Sequence, residues 1–221
     1  MIYLDHAATT PVAREVADTM YDVLLNGSGN PSSQYPYGAA AKKRLETDRA
    51  VIAAALGCKP DELYFTSCGT ESDNWAIRLA AHQNRRVGKH IITTAVEHSA
   101  VLEPCRQLEQ EGYAVTYLAP DRQGNITAQQ VADALREDTA LVSVMLVNNE
   151  TGCVFPVGEI ARLLRELIWK LSAGMVSSAL IVASGLIYAK AGAWYSLGCA
   201  AAGAGLMAFA FWNRKKSGGK R

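Results

Sequence analysis

The segment Ala140–Val147, ALVSVMLV, holds seven apolar residues in eight. A strand that alternated between core and water would show polar residues at every second position. This one does not, so it is expected to be covered on both faces, as strands of parallel sheets are. Such a strand requires helices on both sides of its sheet, and the preceding sequence supplies them. Pro11 to Leu25 places Val12, Val16, Met20, Val23 and Leu24 on one helical face. Ala39–Leu56, Thr70–Arg86 and Ser99–Glu111 read as further helices. ELYFTS (Glu62–Ser67), HIITTAV (His90–Val96) and YAVTYLA (Tyr113–Ala119) read as strands. GNPSSQYPYG (Gly29–Gly38) and DRQGN (Asp121–Asn125) carry turn chemistry. Thr127 and Gln130 form a T-x-x-Q capping box that opens one more helix. The alternation defines an α/β fold with a mostly parallel sheet.

Charge divides the chain unevenly. Residues 1–166 contain all 21 acidic residues and 15 Lys and Arg, a net −6; residues 167–221 contain 7 Lys and Arg and no acid, a net +7. The overall +1 is therefore a cancellation. A helical stripe of Ile160, Leu163, Leu164, Leu167, Ile168 and Leu171 crosses this divide without a change of phase. Two uncharged runs follow, Leu171–Ala189 and Ala191–Asn213, each longer than the roughly 18 residues of a membrane span. Lys170 precedes them and Arg214, Lys215 and Lys216 follow. Trp194, Tyr195 and Trp212 sit near the ends of the second run. The reading is a domain over 1–166 and, over 167–221, a helical tail with a basic C-terminus. The tail is expected to form a two-span membrane hairpin through 171–213, with both ends cytoplasmic. An Ala- and Gly-rich buried helix pair is the alternative.

The five cysteines form no C-x-x-C pair and no zinc-ligand spacing with histidine, so no metal site is expected. Their irregular spacing suits a reducing cytoplasmic compartment for the N-terminal domain. The N-terminus has no apolar core of a secretory signal. No basic stripe with interleaved aromatics is present, which argues against nucleic acid.

Three segments carry groups suited to chemistry. FTSCGTESDN (Phe65–Asn74) is a turn running into a helix, where backbone N–H groups and the Thr70 hydroxyl can cradle an anion. A plain N-cap is the simpler reading of Thr70. VEHSAV places His98 at the end of a strand, where ligands collect in open α/β sheets; a structural histidine is the commoner reading of such a position. VNNETG (Val147–Gly152) ends the next strand with Asn148, Asn149 and Glu150, which can fix a ligand's polar edge or close a tight turn.

In this order, YLDHAATTP, NPSS, FTSCGTESDN, EHSAV and VNNETG closely resemble the cysteine desulfurases of the class V aminotransferase group. The resemblance covers about residues 1–166. It implies the large domain of a fold type I pyridoxal-phosphate (PLP) enzyme that takes sulfur from L-cysteine, leaving alanine and an enzyme persulfide for iron–sulfur cluster or thio-cofactor assembly. It implies a sulfur acceptor protein as partner and a homodimer. It gives Gly69 and Thr70 to the cofactor phosphate, His98 to ring stacking and proton movement, Asn149 to the phenolic oxygen, and Asn30 to the neighbourhood of the substrate carboxylate.

The resemblance also implies residues that are not recognisable after Glu166. These are the lysine that attaches the cofactor in a Ser-x-His-Lys segment, the aspartate on the pyridine nitrogen in an H-x-D-A-x-Q segment, and a mobile sulfur-accepting cysteine. The domain is therefore expected to be incomplete, joined to an unrelated apolar tail, inactive as this chain and without covalent cofactor attachment. A membrane-anchored PLP-binding or interaction module, or half of a split enzyme, are the competing expectations.

Overall fold

The computed structural model describes residues 2–6, 8–171, 180–183 and 186–188, with side chains through Glu166. Among the described residues lie six helices: α1 (Arg14–Asn26), α2 (Pro36–Leu56), α3 (Gly69–Gln83), α4 (Ser99–Gln110), α5 (Ala128–Ala134) and α6 (Val157–Leu171). The described residues also hold five strands, β1 (His90–Thr94), β2 (Ala114–Leu118), β3 (Thr139–Ser143), β4 (Leu180–Ala183) and β5 (Leu186–Tyr188), in one sheet of order β2-β1-β3-β4-β5. The first four of that row run parallel; β5 pairs antiparallel with β4.

Side-chain alternation sorts the sheet into two covered faces. Ile91 and Leu141, which are register partners, pack with Ala76, Ile77 and Ala80 of α3 and Val101, Cys105 and Leu108 of α4. Ile92 and Val142, one residue on, face Val131 of α5 and Ile160 and Leu164 of α6. Every residue of β1 and β3 is buried. The doubly covered strand expected from ALVSVMLV is thus β3, although pairing ends at Ser143 and the rest of the run turns toward the site.

Local chemistry sets the element ends. The Thr127–Gln130 capping box forms as expected, with Gln130 N–H to Thr127 Oγ1 at 3.2 Å and Thr127 N–H to Gln130 Oε1 at 2.8 Å. Helix α2 stops at Gly57, whose φ of +69° is one a side chain would resist. In the turn at Asp121–Asn125, Asp121 Oδ1 accepts the N–H groups of Gln123 and Asn125.

Two expectations need correction. Glu62–Ser67 is not a strand: a short 3₁₀ turn, Pro60–Glu62, leads into extended backbone at Leu63 that pairs with no strand among the described residues. The composition suits a strand, but a strand exists only with a partner. The second concerns the tail. Leu180–Ala183 and Leu186–Tyr188, inside the first uncharged run, are strands rather than helix. β4 uses the free edge of β3, with Leu141 opposite Leu180, and its Ile181 and Val182 are β-branched residues that suit a pleated surface. Among the described residues, no helix is long and apolar enough to cross a membrane. The rest of the 171–213 hairpin expectation lies outside the described residues.

Candidate active site

The strand order creates a crevice. The chain leaves β1 through α4 to reach β2 on one side, and leaves β3 through α6 to reach β4 on the other. The loops beyond β1 and β3 therefore diverge, and the gap between the C-terminal ends of those strands is a topological switch point, where open α/β sheets take their ligands. Helix α3 runs into β1 from the same end, so its N-terminus also lies at this edge.

Three of the sequence-selected segments meet here. The loop after β1 carries Glu97 and His98, the loop after β3 carries Asn148 and Asn149, and the start of α3 carries Gly69 and Thr70. Hydrogen bonds tie the segments together. Asn74 Nδ2 donates to the Thr70 carbonyl at 2.9 Å and to the Ala100 carbonyl at 3.3 Å, joining α3 to the first turn of α4. Asn148 Nδ2 donates to the Val96 carbonyl at 2.8 Å. The Met145 N–H donates to Glu97 Oε1 at 2.7 Å.

The start of α3 favours negative charge. Cys68, the N-cap, is exposed, and its thiol is held below its ordinary pKa by the Glu71 N–H first, then by the Ser67 hydroxyl and the Thr70 N–H. Donors that stabilise a thiolate suit a phosphate equally. The Glu71 carboxylate competes in part: it takes both the Ser67 N–H and hydroxyl at 2.7 Å, which lowers its own pKa and leaves those donors engaged.

His98 is exposed and serves as the N-cap of α4, its Nδ1 accepting the Ala100 N–H at 3.1 Å. With Nδ1 an acceptor, a neutral ring carries its proton on Nε2. Asn149 is exposed, and its Nδ2 donates to Glu150 Oε1 at 2.8 Å. Asn148 closes the turn, its Oδ1 accepting the N–H groups of Glu150 at 3.0 Å and Thr151 at 2.8 Å. Asn30 stands apart: its hydrogen bonds stay within its own loop, Oδ1 accepting from Ser32 N–H and the carbonyl from Ser33 N–H, both at 2.9 Å. No bond among the described residues brings it to the crevice.

Two acids missed in the sequence lie beneath the site. Asp73 is 4% exposed and Glu97 is 5% exposed. Burial raises each pKa to about 7, and for Glu97 the Asp73 charge adds to the rise while the Met145 N–H and Thr94 hydroxyl oppose it. Glu97 Oε2 is buried and has no partner among the described residues. A signal existed for Asp73: it shares the α3 stripe of Ala76, Ile77 and Ala80 at spacings of three, four and seven. An acid in an apolar stripe is a buried acid.

The aminotransferase class-V family matches residues 2–180. The chain therefore belongs to that family, whose members are in general PLP-dependent. The match passes Glu166, so residues 167–180 lend no support to an unrelated segment starting at 167. Within the family the matched portion is cysteine desulfurase-like. It is 46% identical over 165 residues to the cysteine desulfurase IscS of Methanosarcina thermophila, covering 75% of this chain and 41% of that one. It is 47% identical over 165 residues to the cysteine desulfurase IscS of Dictyoglomus turgidum, covering 75% and 42%. The chain thus spans about two fifths of the length of these relatives. Among solved structures, a NifS-like protein aligns with a TM-score of 0.73 at 34% identity, over 81% of this chain and 48% of its own. SspA in complex with cysteine aligns with a TM-score of 0.70 at 39% identity, over 75% and 48%.

Proposed function

We propose that the crevice between β1 and β3 holds pyridoxal 5'-phosphate, with the phosphate at Gly69 and Thr70, the ring against His98 and its phenolic oxygen at Asn149. The observation that carries this reading is the convergence of those three segments on one switch point, with the α3 donors poised for an anion. The residues fit the group: an anion cradle, an imidazole and an amide all lie at the same sheet edge. When bound, the cofactor supplies an electron sink for bonds to the substrate's α-carbon. The chain's own residues orient it. The first-turn N–H groups of α3 hold the phosphate, His98 offers a proton-bearing Nε2, and Asn149 must exchange Glu150 for the ligand to donate its amide.

The substrate proposed is L-cysteine, with Asn30 near its carboxylate and a sulfur acceptor protein as partner in a homodimeric whole protein. A relative solved in complex with cysteine supports that choice. The parent activity proposed is removal of sulfur as an enzyme persulfide, for iron–sulfur cluster or thio-cofactor assembly. As this chain alone, PLP binding is proposed to be noncovalent and turnover absent, because no recognisable lysine segment follows Glu166.

The test is alanine release from L-cysteine by the purified chain with added PLP, alone and with a fragment matching the unmatched C-terminal part of a cysteine desulfurase. No release alone and release with the fragment is the expected pair of results. Release by the chain alone contradicts the proposed dependence. No release in either case, with no cofactor uptake, counts against the functional reading itself.

A further inference from the structure

Regular pairing between β1 and β3 ends at Ile92 and Val142. Beyond that point the two chains diverge, yet they carry His98 and Asn149, the two groups that must face one ligand. Something other than the sheet has to hold them at a fixed separation. Two buried side chains span the gap in opposite senses. Glu97, from the β1 side, accepts the Met145 N–H of the β3 side at 2.7 Å; the same Oε1 takes the Thr94 hydroxyl at 3.1 Å. Asn148, from the β3 side, donates to the Val96 carbonyl of the β1 side at 2.8 Å. Each immediately precedes its functional neighbour in sequence, Glu97 before His98 and Asn148 before Asn149.

Asn148 performs two separable tasks. Its Oδ1 accepts from Glu150 N–H, Thr151 N–H and, at 3.1 Å, the Thr151 hydroxyl, and these bonds suffice to close the turn. Its Nδ2 reaches across the crevice to the Val96 carbonyl, with a longer 3.5 Å contact to Met145 Sδ on its own side. A residue needed only for turn closure would use the oxygen alone, and aspartate would serve as well. The amide nitrogen adds a bond across the crevice that an aspartate could not donate. Asn148 is 4% exposed and Val96 is half-buried, so losing the bond leaves a partly buried carbonyl without that partner.

We propose that Asn148 and Glu97 are positioning residues, a two-bond latch across the switch point that fixes His98 relative to Asn149. The proposal rests on the reading of this crevice as the PLP site. Neither residue touches the cofactor; each acts through its neighbour.

The variants separate the latch from the turn. Asn148→Asp keeps the acceptor that closes the turn and removes the donor to Val96. Glu97→Leu removes the acceptor for Met145, and Glu97→Gln keeps it. Hydrogen–deuterium exchange of the full chain without ligand reads the latch directly. Asn148→Asp is expected to speed exchange about tenfold or more in 95–98 and in 145–152 together, the loss of one partly buried hydrogen bond. Strand β2 (Ala114–Leu118) should keep its protection and so reports that the fold survives. Glu97→Leu should do the same, and Glu97→Gln should restore what Leu loses. Equilibrium titration with PLP should show about tenfold weaker uptake by Asn148→Asp and Glu97→Leu.

Faster exchange confined to 148–152 would overturn the latch, as would unchanged PLP affinity in a variant whose wild-type parent binds. A wild-type chain that takes up no PLP overturns the functional reading instead, and the positioning role falls with it; the exchange pattern then decides the latch by itself.

Discussion

Asp73 and Glu97 sit where burial disfavours the charged form of each. Each is a carboxylic acid beneath an α/β sheet edge, with burial raising its pKa to about 7 from ordinary values of 3.8 and 4.5. The unfolded chain gives up both protons near those ordinary values, whereas the folded chain keeps them until about 7. Between these limits the folded state binds more protons, so its stability is fully present at the acidic end and is lost as pH rises toward 7. Urea midpoints measured across this window should fall with rising pH, and Asp73→Asn or Glu97→Gln should flatten the fall. Midpoints that rise through the window would show that other groups dominate. His98 and Asn149 could be picked out from the order of motifs, because strand ends at a parallel sheet collect ligands. Glu97 could not: an acid beside a histidine at a strand end reads as solvated, and only the fold shows Met145 and Thr94 closing over it.

At the scale of elements, the sequence was most informative where periodicity and capping agree. Helices α3, α4 and α6 fall close to their expected spans, and the T-x-x-Q box starts α5 as its chemistry requires. Thr127→Ala should cost about 1 kcal/mol of stability in denaturant melts, since it removes the acceptor for the Gln130 N–H. An unchanged midpoint would mean that α5 is held by packing alone. Phe155 is 2% exposed in the core against α6, and Phe155→Ala should cost about 3–5 kcal/mol. The failures were strands. A short apolar segment takes its structure from its partner, and partners are set by tertiary pairing. Glu62–Ser67 has strand composition and no partner among the described residues. Leu180–Ala183 lies in an uncharged run that fits a membrane helix equally well, and only the open edge of β3 decides it.

The molecule as a whole is unevenly consolidated. Sheet and flanking helices α3 to α6 enclose two apolar cores, while α1 buries no residue and leaves Val16, Met20 and Leu24 each more than half exposed. Protection from hydrogen exchange should follow that division, slowest in β1 and β3 and fastest in α1; equal protection in α1 would show that its apolar face is covered in solution. The crevice belongs to the consolidated part, which is why a chain spanning about two fifths of its relatives is proposed to keep a cofactor site. The most direct test of that claim is an equilibrium titration of the full chain with pyridoxal 5'-phosphate, repeated with His98→Ala and Thr70→Ala. The account predicts saturable one-to-one uptake, weakened several-fold to about tenfold by each substitution as one ligand contact is lost. Uptake that does not saturate, or that neither substitution weakens, would contradict it.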